Sequence, residues 1–212
     1  MTALDTAAGP IRQQTTGLAR WLPLAGLAYA VLTIAGDLVV DAFPDGDTST
    51  SALVRYYAAH HTQVGTGGQL MGLAVIFLGL FVAGLVVRAR ASLATAAVIG
   101  VGGAALVAAQ EWSASVYAQL GSTGGEHSVA PAALQAWHIA GAEWTGVGSA
   151  SIVFVLGIAV AGLVDRTLPA WVAVTALVLG CGSFFPQPFG FFASMLMLVW
   201  AAATGIALTV RR

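Results

Sequence analysis

Charged residues are scarce in this chain. Its 212 residues include eight basic and nine acidic ones, which together make up 8% of the sequence, whereas soluble domains carry about 25%. So few charges cannot cover a surface that faces water, and the ordinary soluble classes are therefore excluded. Lysine is absent, and the formal net charge of −1 leaves no basic surface for nucleic acid.

Cysteine is also scarce, since Cys181 is the only one, and this excludes a disulfide framework. Histidines, cysteines and carboxylates nowhere show the spacing of a zinc site. The glycine-rich stretch 65–68 lacks the lysine that a phosphate-binding loop needs, and no dinucleotide fingerprint occurs. The sequence therefore predicts neither a bound metal nor a cofactor.

Apolar residues are abundant, because 58% of the sequence is hydrophobic. A helix needs about 20 predominantly apolar residues to cross about 30 Å of hydrocarbon. Six segments meet this requirement, at residues 20–40, 69–87, 93–119, 139–164, 169–185 and 189–210. We therefore predict an all-α membrane protein, with a tail at residues 1–19 and a single six-helix transmembrane domain at residues 20–212.

The positions of the arginines agree with six spans. This count places seven of the eight arginines at one end of the bundle, namely Arg12, Arg20, Arg88, Arg90, Arg166, Arg211 and Arg212. The opposite end holds Arg55 together with the acids Asp41, Asp45, Asp47 and Glu126. Because positive charge collects in cytoplasmic loops, the sequence predicts cytoplasmic termini in a multi-pass protein of the plasma membrane.

Residues 48–62, in the first outer loop, have a pattern of their own. Leu53, Tyr56, Tyr57 and His60 recur near helical spacing, and Thr48 or Ser49 precedes them as a helix cap. A tyrosine-rich, modestly polar helix is suited to the headgroup level of a bilayer. We therefore predict a short amphipathic helix that lies flat on the outer surface.

Small residues are concentrated in the third and fourth segments, for example at Gly102 and Gly103 and again at Gly146 and Gly148. Small residues allow membrane helices to approach each other closely. We therefore expect these two segments to pack backbone to backbone.

Ionisable groups inside hydrocarbon are costly and normally face the bundle interior, where they mark functional sites. The predicted spans contain three acids, Asp37, Glu111 and Glu143, and His138 lies at the start of the fourth span. At about 1.5 Å of rise per residue, all three acids lie in the outer third of the bundle. These four residues are the predicted catalytic acids and bases.

Aromatic and neutral polar side chains gather at the same end. The predicted substrate-binding residues are Trp112, Trp144, Tyr117, Trp137, Phe184, Phe185, Gln69 and Gln110. The sequence Gln110-Glu111-Trp112 in the third segment is echoed by Ala142-Glu143-Trp144 in the fourth. Together these features predict an outward-opening, acidic pocket with aromatic walls.

A purely structural interpretation stays open for the same residues. Tryptophan and tyrosine form belts at membrane interfaces without any catalytic role. Acids near the end of a span can lie among the lipid headgroups, and Asp37 can pair there with Arg55.

The chain resembles two groups of proteins. The segment from Val54 to His60, Val-Arg-Tyr-Tyr-Ala-Ala-His, with the glycine-rich start of the second span and Arg88 and Arg90 at its end, resembles small actinobacterial membrane proteins of unknown function. Its intramembrane acids and many aromatic residues are similar to those of the membrane-bound terpene cyclases of meroterpenoid and indole-sesquiterpene pathways. That second resemblance implies that Glu111 and Glu143 protonate an alkene or epoxide of a prenylated substrate.

The first functional hypothesis is a membrane enzyme, an isomerase or lyase, that cyclises a lipophilic isoprenoid after protonating it. Carboxylic acids in apolar surroundings favour the neutral form and can act as general acids. The faces of Trp112 and Trp144 would stabilise carbocations. Replacing Glu111 or Glu143 by glutamine is then expected to abolish turnover.

Two alternatives use the same residues differently. One is a proton-coupled small-molecule carrier or exporter, in which the glutamates bind and release protons during exchange. The other is a non-catalytic scaffold or sensor, in which residues 48–62 bind a partner. The predicted partners are a lipophilic small molecule and membrane lipids, and the oligomeric state stays open.

Overall fold

A computed structural model describes residues 17–40, 44–45, 47–123, 130–142, 145–183, 185 and 189–210. Within these ranges the chain is helical and contains no strand. The helices are α1 (Gly17–Trp21), α2 (Ala25–Val40), α3 (Thr50–Ala89), α4 (Leu93–Thr123), α5 (Pro131–Ala142), α6 (Thr145–Leu163), α7 (Ala170–Gly182) and α8 (Phe189–Val210), with a 3₁₀ turn at Leu22–Leu24.

Four helical stretches in the described residues are long and apolar enough to cross a membrane. They are Ala19–Val40, Thr50–Ala89, Leu93–Thr123 and Phe192–Val210. The stretches Ala150–Leu163 and Ala170–Gly182 are apolar but shorter. The prediction of an all-helical membrane protein is therefore confirmed at this level.

Six of the helices form a closed ring. Going round it, α2 packs against α3, α3 against α4, α4 against α6, α6 against α7, α7 against α8, and α8 against α2. Neighbours run antiparallel: on α2, Gly26 faces Phe81 of α3, and Gly36 faces Met71, which lies earlier in α3. The buried side chains of the ring form one continuous hydrophobic core, which includes Phe81, Ile99, Phe154 and Trp200.

The outer helix predicted at residues 48–62 is not a separate element. It is the first part of α3, which continues through 40 residues and is about 60 Å long. The glycines between the two parts do not break the helix, because they are contact points: a Cβ at Gly68 would meet the backbone of Ala118, and Gly65 packs against Gly121. Because α3 is about twice as long as the hydrocarbon is thick, its first turns extend beyond the bundle.

The predicted fourth segment, residues 139–164, contains a helix boundary. Helix α5 ends at Ala142 and α6 begins at Thr145, and Glu143 and Trp144 lie outside the described residues. Helix α5 packs on α3 and α4. The part of the chain after α4 therefore contributes a ring helix, α6, and also α5, which together with the start of α3 forms a cover at the end of the ring where α2 and α4 finish.

The expected close packing of the third and fourth segments is present between α4 and α6. A Cβ at Gly102 would collide with the backbone of Phe154, and one at Gly157 would meet Ile99. Gly102 and Gly157 therefore set how closely the backbones of α4 and α6 approach each other.

Replacing Gly102 with alanine should destabilise the protein by about 1–3 kcal/mol, the usual cost of overpacking a tight contact. Gly79 is a matched control, because a Cβ there meets nothing within 4 Å, and alanine favours a helix by up to about 1 kcal/mol over glycine. Unfolding by SDS in detergent micelles measures both. Equal changes in the two variants would contradict the packing described for α4 and α6.

Candidate functional site

A cavity of about 100 Å³ lies at the centre of the ring. All six ring helices contribute to its wall, through Tyr29 of α2, Phe81 of α3, Gln110 of α4, Phe154 of α6, Gly180 of α7, and Met197 and Trp200 of α8 among others. A void this large exceeds the roughly 10–15 Å³ that a single water needs. The ring therefore encloses a binding volume rather than a fully packed core.

Four aromatic side chains make up much of this wall: Tyr29, Phe81, Phe154 and Trp200. Phe81 and Trp200 pack edge to face, with ring centroids 5.9 Å apart. The indole Nε1 of Trp200 donates a hydrogen bond of 3.1 Å to the carbonyl oxygen of Val172, which holds the ring in place. The central cavity is therefore bounded by fixed aromatic surfaces.

Polar groups line the end of this cavity nearest α5. They are Gln110, Ser151, Ser183 and Ser194, and they come from four different parts of the ring. Ser183 directly follows the last residue of α7, and its hydroxyl donates a 2.7 Å hydrogen bond to the carbonyl of Gly180. The cavity thus has one polar end and one apolar, aromatic end.

A second, smaller cavity of about 30 Å³ lies between α2, α3 and α4. On α2 it is lined by Tyr29, Thr33 and Asp37, which are spaced four residues apart and so share one helix face. Tyr29 and Gln110 line both cavities, so the two volumes adjoin.

The α4 wall of the small cavity is also a polar stripe. Gln110, Ser113 and Tyr117 recur at helical spacing and face the stripe on α2. Asp37 is the one carboxylate among the described residues that line the two cavities. Its side chain is also exposed at the surface of the bundle.

Glu111 lies on a different face of α4. Its side chain is exposed and accepts a 3.4 Å hydrogen bond from the hydroxyl of Ser115, one turn further on. The adjacent Trp112 is 64% exposed. Both residues point away from the two cavities, because Glu111 lies about 100° and Trp112 about 200° round the helix axis from Gln110.

The remaining predicted binding residues divide into two groups. Gln69, Trp137 and Phe185 are described, and all three are exposed. Glu143, Trp144 and Phe184 lie outside the described residues. Of the predicted set, Asp37, Gln110 and Tyr117 are therefore the residues that the structure brings together around the small cavity.

His138 is fully buried in α5, in the cover at the outer end of the ring. Its Nε2 lies 3.2 Å from the carbonyl oxygen of Asp45, which can only accept, so Nε2 carries the hydrogen. Its Nδ1 then accepts a 2.9 Å hydrogen bond from the hydroxyl of Tyr57. The histidine therefore joins α5, α3 and the segment that precedes α3, and this is a positioning role.

Two further hydrogen bonds hold the same cover in place. The hydroxyl of Tyr56 donates 3.0 Å to the carbonyl of Val40 at the end of α2, and Thr50 donates 2.5 Å to the side-chain oxygen of Gln135 on α5. Tyr117 packs against the buried residues of this cover and also lines the small cavity. The cover is thus continuous with the wall of the candidate site.

Sequence reasoning did not identify the aromatic residues of the central cavity, Tyr29, Phe81, Phe154 and Trp200. A signal for one side of the site was present, because Tyr29, Thr33 and Asp37 form a polar stripe on an otherwise apolar helix. For Phe81, Phe154 and Trp200 no local signal distinguishes a residue of the wall from one that faces lipid, since both kinds are apolar.

No protein-family model matches the chain, and no curated protein or solved structure matches it significantly. Among the described residues, no group of three or more His, Cys, Asp or Glu side chains is arranged to hold a metal ion. The two adjoining cavities are therefore the main physical basis for a functional proposal.

Replacing Tyr57 with phenylalanine should destabilise the protein by about 1–3 kcal/mol, because the buried Nδ1 of His138 loses its donor. The His138→Leu variant removes the other partner of the same hydrogen bond. In the double variant neither polar group remains, so the total loss should be smaller than the sum of the single losses. Unfolding free energies of the four proteins measure this coupling, and strictly additive losses would contradict the hydrogen bond.

Proposed function

We propose that the protein is an integral-membrane enzyme that carries out acid–base chemistry on a lipophilic substrate, by protonation-initiated cyclisation of an isoprenoid. The observation that carries this proposal is the junction of the two cavities. An aromatic chamber for an apolar chain adjoins, through Tyr29 and Gln110, a small polar cavity that contains Asp37.

In the proposed reaction the neutral carboxyl group of Asp37 gives its proton to one carbon of an alkene. A new C–H bond forms, and the other carbon becomes a cation that the next double bond attacks, closing a ring. The faces of Phe81, Phe154 and Trp200 stabilise the positive charge by cation–π attraction. The final cation loses a proton to the Asp37 carboxylate, so the product is an isomer of the substrate.

The volume of the central cavity limits the substrate. It is about 100 Å³, whereas pockets that enclose drug-sized ligands measure about 300–1,000 Å³. Only the reacting part of an isoprenoid fits inside, and the rest of the chain lies among lipids or displaces the flexible side chain of Met197. A lipophilic substrate suits this arrangement, because its tail is stable in the surrounding bilayer.

Asp37 is the first candidate for the proton donor, because it lines a cavity that adjoins the aromatic chamber. Glu111 faces away from both cavities, and Glu143 stays a second candidate from the sequence. A proton-coupled carrier is less favoured, because α2, α3, α4 and α8 are continuous helices, whereas carriers often bind substrate at helices broken near the midplane.

The test compares Asp37→Asn with Glu111→Gln, each purified into liposomes and incubated in D₂O with linear isoprenoid alcohols such as geranylgeraniol. Wild-type protein should yield cyclic isomers that carry one deuterium on carbon, seen by mass spectrometry. Asp37→Asn should slow their formation at least about 100-fold, the usual contribution of a general acid. Glu111→Gln should leave the rate unchanged.

Two results would contradict this assignment. Loss of activity in Glu111→Gln with normal activity in Asp37→Asn would identify Glu111, on the outer face of α4, as the acid instead of Asp37. Formation of cyclic products at the same rate by both variants and by empty liposomes would contradict an enzymatic role.

We also propose that all six ring helices cross the plasma membrane, with both termini in the cytoplasm. The antiparallel order of the ring supports an even number of passes, and Arg20, Arg88 and Arg90 lie at the end opposite Asp37. Positive charge of this kind is typical of the cytoplasmic side.

The orientation is tested by maleimide labelling of single cysteines in a Cys181→Ser background. Ser51 and Ala91 are both exposed and lie at opposite ends of α3. A membrane-impermeant maleimide added to intact cells should label Ser51→Cys but not Ala91→Cys, which should react only after permeabilisation. Labelling of Ala91→Cys alone in intact cells would reverse the proposed orientation.

A further inference from the structure

An apolar groove runs along the outside of the bundle, between α2 and α3. Its volume is about 520 Å³, and it is lined by Trp21, Leu24, Leu27, Val31, Phe77 and Leu80 among others. The lining residues of the N-terminal segment run from Trp21 to Val31, ten steps of about 1.5 Å or about 15 Å along a helix. This length matches the hydrocarbon depth of one leaflet, which is half of about 30 Å.

Two arginines lie at one end of this groove. Arg20 is exposed, and its guanidinium carbon lies 5.7 Å from the centre of the Trp21 ring, which forms part of the groove wall. Arg88 is three helical turns beyond the groove residue Phe77, on nearly the same face of α3. Gly84, between them on that face, packs against Pro23 of the 3₁₀ turn, and this contact brings the segment that carries Arg20 close to the end of α3.

The charges of these two arginines are not balanced within the described residues. Arg88 donates a 2.5 Å hydrogen bond to the carbonyl oxygen of Leu208, which is neutral, and Arg20 contacts the neutral ring of Trp21. The contact of Gly84 with Pro23 brings the two arginines to the same end of the groove, where their like charges repel each other. An anion placed between them would remove this repulsion and accept hydrogen bonds from both.

We infer that this groove binds one anionic phospholipid, with an acyl chain along the apolar wall and the phosphate between Arg20 and Arg88. The apolar lining excludes a free inorganic anion as the occupant of the groove, and the arginines distinguish an anionic from a zwitterionic headgroup by charge. The groove opens on the outer surface of the bundle, so the lipid enters sideways from the bilayer. The site is separate from the central cavity, and it does not depend on the proposed reaction.

The experiment is a lipid titration of the purified full-length protein in detergent, followed by native mass spectrometry. Phosphatidylglycerol and phosphatidylcholine with identical acyl chains are compared. The wild-type chain should bind one phosphatidylglycerol molecule saturably and more tightly than phosphatidylcholine. Glycerol phosphate, which has no acyl chain, should not compete at equal concentration.

Arg20→Gln is the main variant, because Arg20 is exposed and its loss leaves the bundle intact. Each arginine near an anionic lipid contributes about fivefold in affinity, so Arg20→Gln should weaken phosphatidylglycerol binding by about fivefold. Arg90→Gln is the charge-matched control, since Arg90 is exposed at the same end of the bundle but follows Arg88 by two residues, which is about 200° further round the helix axis. It should leave the affinity unchanged.

A second variant tests the groove itself. Ala28 lines it, and Ala28→Trp should fill the space of the acyl chain and weaken binding of phosphatidylglycerol without changing any charge. Equal affinity for the two phospholipids, equal losses in Arg20→Gln and Arg90→Gln, or full competition by glycerol phosphate would each overturn the proposal.

Discussion

Hydrocarbon cannot hydrogen-bond, and this constraint decides where every polar side chain of the bundle is stable. The stripe of Tyr29, Thr33 and Asp37 on α2 lines a small cavity between α2, α3 and α4. Gln110 faces the same space from α4 and also reaches the central cavity. The candidate site arises because these few polar groups line one small cavity, while the aromatic residues of the ring line the central cavity beside it.

The helices that surround these cavities pack closely against each other at glycine residues. Where α4 meets α6, Gly102 lets the backbones touch, and where α3 meets α4, Gly65 and Gly121 do the same. These contacts hold the helices in a ring, while Phe81 and Trp200 pack edge to face in the wall of the central cavity. The outer end is covered by α5 and the start of α3, which Tyr57 and His138 join.

The sequence predicted the membrane class and several helix ends well: α4 begins at Leu93 and α8 covers Phe189–Val210, as expected. It did not predict that α3 is continuous, because a glycine-rich stretch has the same composition in a break as in a helix contact. It predicted both Glu111 and Asp37 as site residues and gave more weight to Glu111, whereas Asp37 is the one that lines a cavity. Adjacent positions such as Gln110 and Glu111 face different surroundings, and in a bilayer the core and lipid faces are both apolar, so the sequence pattern does not separate them.

The central claim is that the lipophilic ligand binds inside the ring, with its reacting part between the aromatic chamber and Asp37. The most direct measurement is a crystal structure with an isoprenoid alcohol that carries bromine near its reacting alkene, located by anomalous scattering. The bromine should lie inside the ring, between Trp200 and Gln110. A bromine found only on the outer face of α4, beside Glu111 and Trp112, would contradict the account.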